Sequence, residues 1–175
     1  MAGDAWLDGY NGETTEELLA LEDSHRIDSL VLAFEEAIQR KEGPISKEER
    51  YILAVEGLER EVNNGGYEQF FINSSREFVD VIEEALLATG SPRTAAITKD
   101  AIGALGLGEA LTPEKAEERA LSGDEALREA LGACDGRYHD SGEDIAGNLF
   151  VWIKSNRTRV RVGCSDTSRA TVSTR

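Results

Sequence analysis

Apolar residues recur along this chain at intervals of three and four, the spacing of one face of a helix. Ile27, Leu30, Val31, Phe34 and Ile38 form the first stripe, and Gly43-Pro44 ends it. Ser46 followed by Glu49 reads as a capping box opening a second helix, whose stripe is Tyr51, Val55, Leu58 and Val62. Asn63-Asn64-Gly65-Gly66 closes that helix, since Asn and Gly tolerate the left-handed conformation. Tyr67 to Asn73 is a short aromatic segment of one or two helical turns. Ser74 and Glu77 read as a second capping box, leading into Phe78, Ile82, Ala85 and Leu86. Ser91-Pro92 and Thr112-Pro113 each start a helix with Pro at its first position. Gly123 and Gly136 punctuate the stretch beyond, and Ile145, Leu149, Trp152 and Ile153 line a last helix that begins near Glu143. The pattern predicts an all-α single globular domain of six or seven helices.

The ends read differently. Residues 1–12 are irregular, with Trp6, Leu7 and Tyr10 available to dock on the body. The helical domain covers residues 13–162, and Thr158 to Val162 alternates weakly with no partner strand. Residues 163–175, rich in Ser, Thr and Arg, read as a disordered basic tail. A chain of 175 residues can bury a full core without staples. It has no apolar run of membrane-spanning length and no signal-peptide pattern. Two cysteines, Cys134 and Cys164, make no disulfide framework, so a reducing cytoplasm is the expected setting.

Charge changes this picture most. Asp and Glu number 34 against 19 Lys and Arg, for a net charge of −15. The acidity is concentrated in the body, because Lys154, Arg157, Arg159, Arg161, Arg169 and Arg175 crowd the C-terminal end beside one anion, Asp166. Such a body repels nucleic acid and anionic membrane, and attracts basic partners.

Enzymatic signals are sparse. His139 follows Cys134 in Cys-Asp-Gly-Arg-Tyr-His-Asp, but sequence neighbours rarely reach the geometry of a nucleophile and its base. Asp135, Asp140, Glu143 and Asp144 lack the ligand order of a calcium loop and read as an acidic lead-in to a helix. Gly103, Gly106 and Gly108 follow a helix instead of preceding one, so they terminate it and do not cradle phosphate. The expectation is a non-enzymatic protein with no cofactor and no metal.

The segment from Glu61 to Ser75 stands apart, because it interleaves amides and aromatics around a double glycine. Asn64, Gln69 and Asn73 suit the backbone groups left over at helix ends. The glycines allow close helix approach, and Tyr67, Phe70 and Phe71 anchor the corner in the core. It reads first as a helix-corner staple and second as a ligand contact. The string Glu61, Asn63, Asn64, Gly65, Gly66, Tyr67, Gln69, Phe70, Phe71, Asn73 and Ser74 resembles the signature of the acidic bacterial DNA-mimic protein family, with looser likeness from Ile27 to Val162. That resemblance implies an all-helical fold, often a dimer. It also implies a carboxylate surface that imitates DNA phosphates and occupies the DNA-binding face of a transcriptional regulator.

Whether this chain supplies such a surface depends on carboxylates in rows a few ångströms apart, which helix positions three or four apart provide. Glu77, Asp80 and Glu84, with Glu83 beside them, form such a row, and no cation lies between Arg76 and Arg93 to neutralise it. Glu13, Glu16, Glu17, Glu22 and Asp23 form a second block. Asp135, Asp140, Glu143 and Asp144 form a third, interrupted by Arg137. The glutamates at 48, 49, 56, 59 and 61 share a helix with Lys47, Arg50 and Arg60 and read as an ordinary solvated face. The expected function is therefore binding of a basic DNA-binding protein in competition with DNA, without direct nucleic-acid binding. The alternatives are a helical immunity or regulatory module for an unrelated partner, and an enzyme or metal protein using the Asn64–Asn73 corner or the Asp135–Asp144 loop.

Overall fold

The computed structural model describes residues 3–163, and the expected disordered tail lies outside them from residue 164 onward. The described residues form eight α-helices and two short 3-10 turns, with one isolated bridge between Ala5 and His25 and no strand. The helices are α1 (Thr15–Ala20), α2 (Ile27–Gln39), α3 (Lys47–Ile72), α4 (Ile82–Thr89), α5 (Pro92–Ala104), α6 (Pro113–Ala120), α7 (Glu125–Asp140) and α8 (Ile145–Ser155).

The longest, α3, is the axis of the molecule. It packs against α2, α4, α6 and α7, while α5 lies on α4 and α7, and α8 on α2. Ser46 starts it as the sequence indicates: Glu49 N–H donates to Ser46 Oγ (3.0 Å) and Ser46 N–H donates to Glu49 Oε2 (2.9 Å). Because neighbours surround α3, Ile52 and Ala54 are buried as well as the stripe of Tyr51, Val55, Leu58 and Val62. Phe34, Tyr67, Phe70, Phe71 and Phe150 are the largest aromatic side chains of the core.

Several elements differ from the sequence reading. The double glycine does not end α3; it kinks it, and the aromatic segment continues the same helix to Ile72. Ser74 and Glu77 make no capping box. Residues Ser74–Phe78 form a 3-10 turn with no side-chain cap, because Asn73 ends α3 and opens the turn at once. Arg76 Nη1 closes the junction by donating to the Ile72 and Asn73 carbonyls, at 2.9 Å each.

The eight helices include two that the apolar stripes did not indicate, α1 and α7. In α1, Thr14 and Glu17 form a complete capping box, and Leu18 and Leu19 are buried. In α7, Leu127, Leu131, Cys134 and Tyr138 bury one face at helical spacing, and the helix runs straight through Gly132 and Gly136.

Both ends of the described chain dock on the body. Leu7 N–H donates to Ser29 Oγ (3.1 Å), and Tyr10 N–H donates to Glu36 Oε2 (2.8 Å). After α8 the chain folds back, burying Val160 and Val162. Thr15 Oγ1 donates to the Val160 carbonyl (2.7 Å) and accepts from Val162 N–H (3.1 Å). Arg161 N–H donates to Glu49 Oε1 (2.9 Å).

Gly66 and Gly132 should respond in opposite directions to alanine. Gly66 sits at φ +80°, and an added Cβ would lie 2.3 Å from Asp135 Oδ2. Gly66→Ala should therefore destabilise by about 2 kcal/mol or more. Gly132 has nothing within 4 Å of the same position, so Gly132→Ala should stabilise by roughly 0.5–1 kcal/mol. Urea unfolding curves check both signs.

Candidate functional site

The Glu61–Ser75 corner is held by one buried carboxylate. Glu61 is 6% exposed. Its Oε2 accepts from Gln69 Nε2 (3.0 Å) and Asn73 Nδ2 (2.7 Å), its Oε1 accepts from Ser75 Oγ (3.3 Å), and Arg60 Nε lies 3.9 Å away. Gln69 and Asn73 thus serve a side chain, not the free backbone groups expected of them. Asn63 Nδ2 does bond backbone, the Glu59 carbonyl at 2.8 Å, while Asn64 stays exposed. At the kink, Gly65 and Gly66 leave helical geometry, and Tyr67 N–H loses its helical partner and donates to Asp135 Oδ1 (2.7 Å). The Tyr67 hydroxyl pairs with Thr98 Oγ1 (2.8 Å), and its ring meets Tyr138 edge-on at 6.2 Å. The corner is a structural joint between α3, α5 and α7.

The first acidic row is dispersed. Glu77 lies in the 3-10 turn, Asp80 between elements, and Glu83 and Glu84 in the first turn of α4. Neighbouring helices supply the cations that the local sequence lacks. Arg50 Nη2 lies 2.9 Å from Asp80, Lys47 Nζ lies 2.7 Å from Glu84, and Lys99 Nζ lies 2.9 Å from Glu83. Hydrogen bonds from Lys47 and Tyr51 hold the Glu84 carboxyl below the usual carboxylate range. Glu77 remains exposed, with no ion pair among the described residues.

The third block works largely at helix ends. Asp135 faces Tyr67, and Asp144 caps α8 through Gly147 N–H (3.0 Å). Glu143 accepts the Arg93 and Thr94 N–H groups at the start of α5 (2.9 and 2.7 Å). Partial burial would raise the Glu143 carboxyl, but those N–H groups outweigh it and hold it below its ordinary value. Burial pushes Asp135 upward. Asp140 is exposed at the end of α7. In the second block, Glu16 pairs with Arg157 and Glu22 with Lys154, so the end of α8 and the start of the segment beyond it lie on the acidic body.

The solvated-face reading of the α3 glutamates is overturned. Glu49, Glu56 and Glu61 are buried there, as is Glu35 on α2. Glu49 holds Lys41 Nζ at 2.8 Å, and Glu35 holds Arg60 Nη1 at 2.6 Å. Glu56 differs from the others: it is 4% exposed and its Oε1 has no hydrogen-bond partner among the described residues. Burial pushes its carboxyl well above the usual range. Repulsion from Glu59, Glu35 and Asp28 adds to this, and Arg60 opposes it. Burial also raises Glu59, against a hydrogen bond from the Tyr138 hydroxyl (3.3 Å).

Glu56 and Glu59 border two adjoining hollows of about 440 and 400 Å³, which share Asp28, Glu59 and Ala146 as lining. The larger is walled by Asp4, Asp28, Glu59, Glu143 and Asp144, with Arg26 as its cation; Arg26 is paired with Asp28 at 2.5 Å. The smaller is walled by Glu56 and by the exposed Trp6 and Leu32. The sequence block thus contributes Glu143 and Asp144 to this groove, whereas Asp4, Asp28, Glu56 and Glu59 were missed. Carboxylates recurring on the apolar side of the helix, at Glu49, Glu56 and Glu59 (seven and three positions apart), were the available signal.

Other chemistry finds little support in the geometry. Burial raises the Cys134 thiol, the opposite of what a nucleophile needs, and His139 is exposed. Among the described residues no group of three or more His, Cys, Asp or Glu side chains is placed to hold a metal ion, and no helix is long and apolar enough to cross a membrane.

An all-helical acidic protein with a stapled helix corner and a carboxylate-lined groove is the class that fold and site define. A family model described as DMP19-like protein matches residues 43–156. The chain belongs to that family, a DNA-mimic family, over the span from the start of α3 to the end of α8. The earlier helices and the segment after α8 lie outside the match. No curated protein and no solved structure matches the chain.

Two measurements bear on the buried carboxylates. Glu61→Ala strands the Gln69 and Asn73 amides and should cost about 3 kcal/mol in chemical denaturation. The Glu56 carboxyl is raised in the folded state, so its contribution to stability is fully present below about pH 4.5 and is lost as pH rises through its folded value. Glu56→Gln should therefore be more stable than wild type at pH 8, with the gap closing on acidification. Melting temperatures of both proteins across pH read this out.

Proposed function

We propose that this chain is a non-enzymatic interaction protein that binds the DNA-binding face of a basic partner, such as a transcriptional regulator, and competes with DNA for it. The observation that carries the reading is the carboxylate-lined groove between the N-terminal segment, α2, α3 and the start of α8. Its Asp4, Glu59, Glu143 and Asp144 form no ion pair among the described residues, although most lysines and arginines there are engaged in one. Membership of the DMP19-like family supports the same reading.

Physically, the groove would offer the partner what a phosphate row offers: closely spaced anions on a rigid support. The partner's basic face would then be occupied and unable to read DNA. Binding of this kind is steered by field and screened over roughly 8 Å at physiological ionic strength, so it weakens as salt rises.

The test is capture from lysate on the immobilised chain, with duplex DNA as competitor at low and moderate salt. A retained DNA-binding protein should be released by either. The double variant Asp4→Asn/Glu59→Gln should bind it more weakly and with a shallower salt dependence. Retention indifferent to both DNA and salt would sink the competitive reading and favour an unrelated partner.

A further inference from the structure

We propose that the hollow between the N-terminal segment and the α2–α3 pair is a socket for one arginine side chain of a partner protein, with Trp6 as its stacking wall and Glu56 as its buried acceptor. The inference rests on the competitive reading above for the existence of a basic partner, but not for the chemistry of the socket.

Three features converge on it. First, Glu56 borders the hollow, is 4% exposed, and has an Oε1 without a hydrogen-bond partner among the described residues. An orphaned buried acceptor is rare, because leaving it unpaired costs the full desolvation of the group. Secondly, Trp6 is 53% exposed and Leu32 39%, which leaves an apolar wall facing the same space. The Trp6 ring already accepts a guanidinium, that of Arg26, 5.5 Å from its centroid. Thirdly, the charged surroundings are mainly acidic: Asp28 and Glu35 on α2 and Glu59 on α3. The two cations nearby are already paired, Arg60 with Glu35 at 2.6 Å and Arg26 with Asp28 at 2.5 Å. Asp4 and Asp144 border the adjoining hollow.

Arginine fits this set better than lysine. Its planar fork presents five donors, enough to reach carboxylates on two helices at once, and its flat face stacks on an indole. An ammonium is a compact, strongly hydrated charge that does neither as well. Metal is disfavoured, since these side chains do not gather into a metal-binding group among the described residues. Seating a guanidinium beside Glu56 favours its charged form, so occupancy releases a proton to solvent.

The experiment titrates the full chain with the blocked tripeptide acetyl-Gly-Arg-Gly-amide and follows the two indole N–H resonances by NMR. The Trp6 resonance should shift saturably, while that of Trp152, packed 6.0 Å from Tyr51, should stay in place. Glu56→Gln, an isosteric change, should weaken binding roughly ten- to hundredfold, the loss of a charge-assisted bond. Trp6→Ala, at an exposed position, should weaken it too, and acetyl-Gly-Lys-Gly-amide should bind less well than the arginine peptide. Calorimetry in two buffers of different ionisation enthalpy should show proton release that Glu56→Gln abolishes. A silent Trp6, an affinity unchanged in Glu56→Gln or Trp6→Ala, or equal binding of the lysine peptide would overturn the socket. No DNA-binding protein is present in this test. Failure here with DNA competition intact removes only the socket, and a working socket without DNA competition removes only the mimic reading.

Discussion

The fold depends on satisfying carboxylates inside a helix that neighbours surround. Packing α3 against α2, α4, α6 and α7 buries its apolar side chains from Tyr51 to Val62, but it also takes Glu49 and Glu61 out of water. A buried carboxylate is tolerable only with donors aimed at it. Glu49 is met by Lys41, the Ser46 N–H and the Arg161 N–H. Glu61 is met by Gln69, Asn73 and Ser75. The Glu49 set joins stretches 112 residues apart, and the Glu61 set ties the two sides of the kink together, so the polar requirement also fixes how the apolar elements sit. The Glu61–Ser75 string is therefore the donor set of one glutamate plus the kink that brings those donors round to it.

Internal pairing also shapes the surface. Cations from α3 and α5 neutralise the acidic side chains around α4, while Lys154 in the last turn of α8 and Arg157 just beyond it pair with Glu22 and Glu16. A row of like charges in sequence is thus a poor guide to the field outside the protein, because its counterions arrive from other helices. What survives is the groove beside α2 and α8, where several carboxylates face one another across solvent and few cations enter.

Much of the architecture is legible in the sequence. Ser46 with Glu49, Pro92, Pro113 and the apolar stripes of α2, α4 and α8 are local signals, and local hydrogen bonding honours them. Ser74 with Glu77 carries the same signature and fails, because α3 runs up to the residue before it. The helix through Gly132 and Gly136 was obscured because glycine weakens a helix without forbidding one, and burial of Leu127, Leu131, Cys134 and Tyr138 decides the outcome. The groove was the least legible part. Glu143 and Asp144 could be named from their block, but Asp28, Glu56 and Glu59 come from two other helices, and only packing brings them alongside. The burial of Glu56 follows from the neighbours that surround α3 between Tyr51 and Leu58, and not from the helix's own period.

The hook after α8 has a consequence for how the chain assembles. Thr15 is hydrogen-bonded to Val160 and Val162, 145 and 147 residues later, and Glu49 is completed by Arg161. During synthesis α1 and the start of α3 emerge early but wait for almost the whole described length before their polar groups are matched. That contact is the costliest loop to close, and it locks the structure late. An early segment is thus completed only by a late one, so a chain still being made leaves Thr15 and Glu49 without part of their hydrogen bonding.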